Sequence, residues 1–350
     1  MVYLDYSATY PYVKYPSSAY GLFLNPNANY AYKEKRLLSE TENRVKKAIG
    51  AKGGKVVFGG TSSQLIENLF THIYDETNEY LTICSIYEHD SVWRFADQWG
   101  NIDSLKHVIQ TYHGDKQLIV CLMGVNNITG EIMPVKEIGK LCHEHNVFYI
   151  CDMTAMISKV PIPPNIDQWC DCAVWSGHKL GTELGIGAMW ISDRFNQWLN
   201  GFKLHGTPNL AGALAMTQAV EDACDSKTIE RNNFHWMKLA NKFGGLLNKN
   251  NIQHTFVPLV LDDYTTAINA IRLPGFNADA LQQHLASNQV YISIGGSACA
   301  EKHDYRVLNA YGLSNDEASE VIRVSFGEDS SVEDVEALVE GIVAFRKEYL

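Results

Sequence analysis

No stretch of this chain is apolar over enough residues to cross a bilayer, which excludes a helical membrane protein. It has no internal repeat and no low-complexity tract, so neither a solenoid nor a disordered tail is indicated. Basic residues are in the minority: 29 Lys and Arg face 40 Asp and Glu, for a net charge of -11. Such a balance argues against a broad nucleic-acid surface, and direct nucleic-acid binding is not expected. No basic or apolar leader opens the sequence, so the expected location is the cytoplasm. A disulfide framework is also missing. The eight cysteines (84, 121, 142, 151, 170, 172, 224 and 299) lie mostly in apolar runs and read as reduced, buried thiols. Cys170 and Cys172 form a CxC with no second ligand pair nearby, so no metal site is expected.

What is present is a large globular chain. Its 350 residues, 46% of them hydrophobic, can bury two domains' worth of core. Strand-like runs recur at Val56–Phe58, Leu81–Ser85, Leu118–Met123, Phe148–Cys151, Cys172–Trp175 and Ala188–Ser192. Helix-like segments separate most of them: Glu34–Ile49, Gln64–Tyr74, Ser91–Trp99 and Val135–His145. This alternation predicts an α/β domain built on a mainly parallel sheet. Asn209–Ala223 and Ile229–Leu247 read as further helices. Beyond about residue 250 the pattern changes to strands near Thr255–Leu259, Ala267–Arg272, Val290–Ser293 and Ile322–Phe326. Helices near Ala278–Ala286 and Val332–Tyr349 accompany them, which predicts a smaller α+β domain.

Lys179 stands out against this background. It follows the apolar run Cys172–Trp175, in Ser176-Gly177-His178-Lys179. An ammonium loses hydration beside buried strands, so a lysine there is either snorkelling to solvent or used chemically. The chemical use is a Schiff base with an aldehyde. Asp152 ends the run before it, about one strand–helix–strand unit upstream. Parallel sheets bind ligands beyond the carboxyl ends of their strands. A lysine and an acid at two such ends suit pyridoxal 5′-phosphate (PLP): the lysine holds the aldehyde, and the acid keeps the ring nitrogen protonated. A helix cap is the ordinary alternative for Asp152.

Seven segments, in order over nearly the whole chain, resemble one family. They are Tyr3-Leu4-Asp5-Tyr6-Ser7-Ala8-Thr9, Glu88-His89-Asp90-Ser91-Val92, Val125-Asn126-Asn127-Ile128-Thr129-Gly130, Ser176 to Lys179, His205-Gly206-Thr207-Pro208-Asn209, Gly296-Ser297-Ala298-Cys299 and Ile322-Arg323-Val324-Ser325-Phe326-Gly327. They are similar to the "YLDNAAT", "EHPSV", "VNNETG", "SGHK", "SGTPN", "GSAC" and "IRISLG" motifs of the NifS/IscS-like cysteine desulfurases. Those belong to the class V aminotransferase group of fold-type I PLP enzymes. The resemblance implies a large PLP-binding domain over 16–230. Residues 1–15 and 231–350 would form the small α+β domain that carries the Cys299 loop.

The same resemblance implies roles. Gly60-Thr61-Ser62-Ser63-Gln64 stands where the family has its phosphate loop, so Ser62 and Ser63 would hold phosphate; an ordinary Ser N-cap is the structural alternative. Ser176 and His178 would reach the same phosphate, and Thr207 would donate from a second subunit of a homodimer. His89 would stack on the ring and move protons, and Asn127 would bond near the phenolic oxygen. Arg323, inside an apolar strand, needs an anion: either a substrate carboxylate or a structural ion pair. Cys299 sits in a small-residue loop followed by Glu301-Lys302-His303-Asp304, a setting in which a thiol can ionise and attack sulfur.

The expected activity is conversion of L-cysteine to alanine, with a persulfide on Cys299 passed to an acceptor protein for iron–sulfur clusters, thiolated nucleic acid or another product. Other reactions on the same scaffold are selenocysteine or cystine lyase and aminotransferase. A scaffold homologue without turnover is the alternative of another class. Several positions depart from the family pattern. Ala155 replaces a glutamine, 180–185 differ, Leu204 stands near a missing arginine, and the Cys299 loop is short. These departures bear on rate, substrate range and partner docking more than on cofactor binding.

Overall fold

The computed structural model describes residues 1–21, 23–76, 79–258, 263–296 and 304–349. In chain order its strands are β1 (Val2–Tyr3), β2 (Lys55–Gly59), β3 (Tyr80–Ser85), β4 (Gln98–Gly100), β5 (Gln117–Cys121), β6 (Phe148–Asp152), β7 (Cys172–Ser176), β8 (Gly187–Ile191), β9 (Thr255–Val257), β10 (Ile268–Arg272), β11 (Val290–Tyr291), β12 (Ser293–Ile294) and β13 (Val321–Ser325). The chain divides into two units. One comprises Tyr12–Gly124 and Met133–Ile229; the other comprises Met1–Pro11, Val125–Ile132 and Glu230–Leu350.

The first unit holds, among the described residues, a seven-stranded sheet in the order β2-β8-β7-β6-β5-β3-β4. Strands β4, β3, β5, β6 and β7 run parallel, and β8 is antiparallel to both β7 and β2. Strands β6, β7 and β8 are buried at every position. A parallel sheet covered on both faces requires such unbroken apolar runs. Helix Ser62–Glu76 supplies Leu65, Ile66, Leu69, Phe70 and Ile73 to one face, where they meet Ile119, Ile150, Val174 and Met189. This is the expected α/β architecture with a mainly parallel, helix-flanked central sheet.

Two details differ from the sequence reading. The helix expected over Ser91–Trp99 ends at Trp93, and Gln98–Gly100 joins the sheet as its edge strand. Asp97 causes the switch: its carboxylate accepts from the Thr82 amide at 2.8 Å and its own amide donates to Thr82 O at 2.9 Å. The strand expected to reach Met123 stops at Cys121, and the Met123 amide donates instead to Glu88 Oε1 at 2.7 Å.

Asp171, fully buried just before β7, ties this sheet to its flanking segments. Arg194 forks onto it (Nε to Oδ1 3.1 Å, Nη2 to Oδ2 2.7 Å), Ser192 Oγ donates to Oδ1, the Tyr149 amide donates to Oδ2, and His143 Nε2 lies 3.2 Å away. Burial alone would raise this carboxyl, but the His143 and Arg194 hydrogen bonds outweigh it and hold it below its ordinary range. A depressed folded-state pKa gives stability that is complete above the unfolded value and is lost as pH falls through the folded value. Asp171→Asn should therefore lower unfolding stability at neutral pH by about 3 kcal/mol, because Arg194 loses its charge partner. Below about pH 4 the gap to the wild type should close. Denaturant melts at both pH values check this; a gap that stays constant with pH would contradict it.

The second unit holds a four-stranded sheet, β12-β13-β10-β9, and a two-stranded one, β1-β11, among the described residues. The expected single strand Val290–Ser293 is two short ones. Val290–Tyr291 pairs with β1 and Ser293–Ile294 pairs with β13, so the chain changes sheets at Ile292. Helix Val332–Tyr349 buries Val335, Leu338, Val339, Ile342 and Phe345.

Candidate active site

The carboxyl ends of β2, β3, β5, β6 and β7 share one edge of the seven-stranded sheet, since β2 is antiparallel to β8 and β8 to β7. Topology alone therefore brings the Ser62 turn, Glu88–His89, Asp152 and Lys179 to the same edge.

Lys179 closes a one-turn 3₁₀ helix, Gly177–Lys179, directly after β7. The turn is pinned from both sides. The Gly177 amide donates to Ile186 O at 3.0 Å, and Gly177 O accepts from Leu180 at 2.8 Å and from Thr182 at 3.2 Å. A Cβ on Gly177 would lie 2.3 Å from Thr182 Oγ1, so any larger residue there would force Thr182 or the turn to shift. His178 beside it is pushed down to about 4 by burial and by the Lys179 charge. It is thus neutral at pH 7, able to donate or accept a hydrogen bond but not to carry charge.

Asp152 is buried at the end of β6, one strand from Lys179. Its Oδ1 accepts from the Thr154 amide at 2.8 Å, and no hydrogen bond reaches Oδ2 among the described residues. The hydroxyls of Thr154 and Ser176 are buried with no partner there. An unpaired buried hydroxyl costs about 1–3 kcal/mol. Two of them flanking a buried carboxylate describe a site built for a polar ligand.

The phosphate turn is assembled against the same strands. Gly187 in β8 pairs with both Ser176 and Gly59, and a Cβ on it would stand 2.9 Å from Thr61 C and 3.0 Å from the Ser62 nitrogen. Its missing side chain lets the Thr61–Ser62 backbone rest on the sheet beside Ser176. The cap of helix Ser62–Glu76 is Thr61, whose Oγ1 accepts from the Gln64 amide at 3.1 Å, and not a serine. Ser62 and Ser63 make no side-chain hydrogen bond among the described residues and remain available at a helix N-terminus, where an anion is favoured. The donor set on this edge thus fits PLP: hydroxyls and a helix end for the phosphate, a buried carboxylate, and a lysine amine.

His89 caps helix Asp90–Trp93, accepting from the Ser91 amide through Nδ1 at 3.2 Å. In the neutral ring that bond puts the proton on Nε2. Glu88 is buried and takes Ser85 Oγ and the Met123 amide on Oε1, each at 2.7 Å, joining the ends of β3 and β5. Thr207 is exposed after Gly206 (φ 104°) and borders a cavity of about 660 Å³ with Gly59, Gly60 and Gln64.

Asn127 and Arg323 belong to the other unit. Arg323 lies on β13 and is 2% exposed. Its Nη2 donates to Asp5 Oδ1 at 2.8 Å and to Ser293 Oγ at 2.9 Å, and its Nη1 donates to Asn127 O at 3.1 Å. The ion pair weighed as the structural alternative is therefore made. Nε is buried without a partner among the described residues. Cys299 lies outside the described residues. Burial pushes up the thiols of Cys121, Cys142, Cys151, Cys170 and Cys172, and raises Cys224 to about 12, so these thiols are poor nucleophiles.

Sequence reasoning missed Lys159. It is buried on the segment after β6, and burial together with the Lys179 charge pulls its ammonium down to about 8. Its only signal was a lysine in an otherwise uncharged run, Met153 to Pro161.

Comparison with known proteins gives a consistent neighbourhood. The model of the family "Aminotransferase class-V" matches residues 2–338. The chain is 27% identical over 385 aligned positions to the cysteine desulfurase IscS of Clostridium botulinum, covering 97% of this chain and 92% of that one. It is 29% identical to the IscS of Rickettsia felis over 219 positions, where the match takes in 54% of this chain and spans only about half (52%) of that relative. Among solved structures, a NifS-like protein from Rickettsia africae superposes with a TM-score of 0.81 at 21% identity, covering 99% of both chains. The apo cysteine desulfurase of Thermococcus onnurineus gives 0.75 at 19%, covering 99% of this chain and 95% of that one.

Proposed function

The chain belongs to the class-V aminotransferase family, and from that premise we propose that it is a PLP-dependent cysteine desulfurase. The observation that carries the cofactor is the shared sheet edge, with Lys179 on its pinned turn, Asp152 one strand away and, at the end of β7, the Ser176 hydroxyl, unpartnered among the described residues. Ser62, Ser63, Ser176 and His178 would hold the phosphate, Asp152 the ring nitrogen and Lys179 the aldehyde carbon. Asn127 would bond to the phenolic oxygen. When bound, the group supplies an electron sink for the substrate α-carbon.

The chain's own residues do the rest. Arg323 binds the L-cysteine carboxylate. Lys179 would move the substrate α-proton, and His89 would assist through Nε2. Cys299 thiolate attacks the substrate sulfur: an S–S bond forms, the C–S bond breaks and its electron pair stays on carbon, which takes a proton. The products are alanine and a Cys299 persulfide, and the persulfide sulfur passes to a thiol of an acceptor protein for iron–sulfur assembly. Thr207 reaches the phosphate of a partner subunit, so the working form is a homodimer. The location we propose is the cytoplasm. No helix among the described residues is long and apolar enough to cross a membrane.

The test is Cys299→Ser with L-cysteine, reading alanine and protein persulfide together. The variant should keep the visible cofactor band and lose both products, because a serine hydroxyl is a far weaker nucleophile toward sulfur. Alanine at the wild-type rate would favour a lyase, and keto-acid products an aminotransferase. A wild type that holds the cofactor but makes no alanine would point to a scaffold.

A further inference from the structure

Arg323 is tied internally on the nitrogen that a two-point carboxylate clamp needs. A planar guanidinium offers two paired edges, Nε with Nη2 and Nη1 with Nη2, and both include Nη2. Nη2 has two hydrogens, and both are committed, one to Asp5 Oδ1 at 2.8 Å and one to Ser293 Oγ at 2.9 Å. Ser293 Oγ in turn donates to Asp5 Oδ2 at 2.8 Å, which closes the triangle. Register fixes all three: Ser293 pairs with Arg323 across β12 and β13, and Asp5 bridges Ser325 two residues along. What remains, among the described residues, is the unpartnered Nε–H and one Nη1–H, which do not share an edge.

We propose that the Asp5–Ser293 pair is a latch on Arg323, an internal anion that a ligand carboxylate must displace before it can be clamped at two points. Asp5 is then a specificity-determining residue. It holds the buried guanidinium while the site is empty, and it sets the carboxylate affinity by competing for the same nitrogen. This rests on Arg323 being the carboxylate site. The direction of the effect follows from the charges. With Asp5 neutral, the unliganded state holds a buried guanidinium without its counter-ion, and an arriving carboxylate restores the pair. Two carboxylates on one buried guanidinium, by contrast, repel each other.

The experiment titrates the cofactor-loaded enzyme with L-alanine and with L-alaninamide, which lacks the carboxylate, and reads dissociation constants from the visible spectrum. Asp5→Asn keeps the shape and an oxygen acceptor for Nη2. It should tighten L-alanine by about tenfold, roughly one charge-assisted hydrogen bond, and leave the amide unchanged. Ser293→Ala frees one Nη2 hydrogen without changing charge, and should tighten L-alanine by about threefold. This second variant carries the test if the first does not fold. Unchanged or weaker L-alanine binding in a folded variant overturns the latch, as does equal tightening of acid and amide. Failure of the underlying reading looks different: the wild type would then bind acid and amide equally, and Arg323→Lys would alter neither.

Discussion

Lys179→Ala should purify without a visible band that borohydride removes, and should turn over no L-cysteine. Two losses combine. The proposed covalent anchor would be gone, and so would the amine proposed to move the α-proton, which alone is worth on the order of 10²–10⁴ in rate. The turn itself should survive, because Gly177, Ile186, Leu180 and Thr182 hold it through backbone bonds that do not involve the lysine side chain. Melting temperature therefore separates loss of chemistry from loss of fold. A buried lysine, Lys159, makes the result decisive. Burial and the Lys179 charge pull the Lys159 ammonium down to about 8, so this amine could also reach an aldehyde. A borohydride-trapped adduct that persists in Lys179→Ala and maps by mass spectrometry to Lys159 would refute the assignment.

Asp152→Asn should bind the cofactor but slow exchange of the substrate α-hydrogen with solvent deuterium on the order of a hundredfold or more. The amide keeps the acceptor oxygen for the Thr154 amide, so the local turn stays intact. What disappears is the negative charge proposed to hold the ring nitrogen protonated, and with it the pull on electrons at the α-carbon. Exchange at the wild-type rate would show that some other group fills this role.

The large unit was readable from the sequence because its central strands are buried on both faces and so appear as unbroken apolar runs; β6 and β7 fall within a residue of their expected limits. Helix Ile102–Thr111 was not read, although Asn101 caps it through the Ser104 amide at 2.9 Å. It was masked by the Ser91–Trp99 reading, which ran a helical period through a segment that Asp97 pulls into the sheet. Lys179 and Asp152 were legible as chemistry because each is a polar residue closing an apolar run. The partner of Arg323 was not. Asp5 is nearly the whole chain away, and no local period encodes a contact of that range. The burial of Lys159 was invisible for a similar reason, since it follows from tertiary packing of an irregular segment.

The pairing of β1 with Val290–Tyr291, and of Asp5 with Ser325 and Arg323, has a consequence for biosynthesis. Strand β1 and Asp5 find their partners only once residues 290 to 325 have been made. Until then β1 waits for Val290–Tyr291, while the seven strands of the large sheet, all complete by Ile191, already have their partners. Closing so long a loop is entropically slow. A nascent chain should thus hold a formed cofactor sheet before it holds a formed Arg323 site, and the ability to retain a vitamin-derived aldehyde would precede the ability to recognise an amino acid.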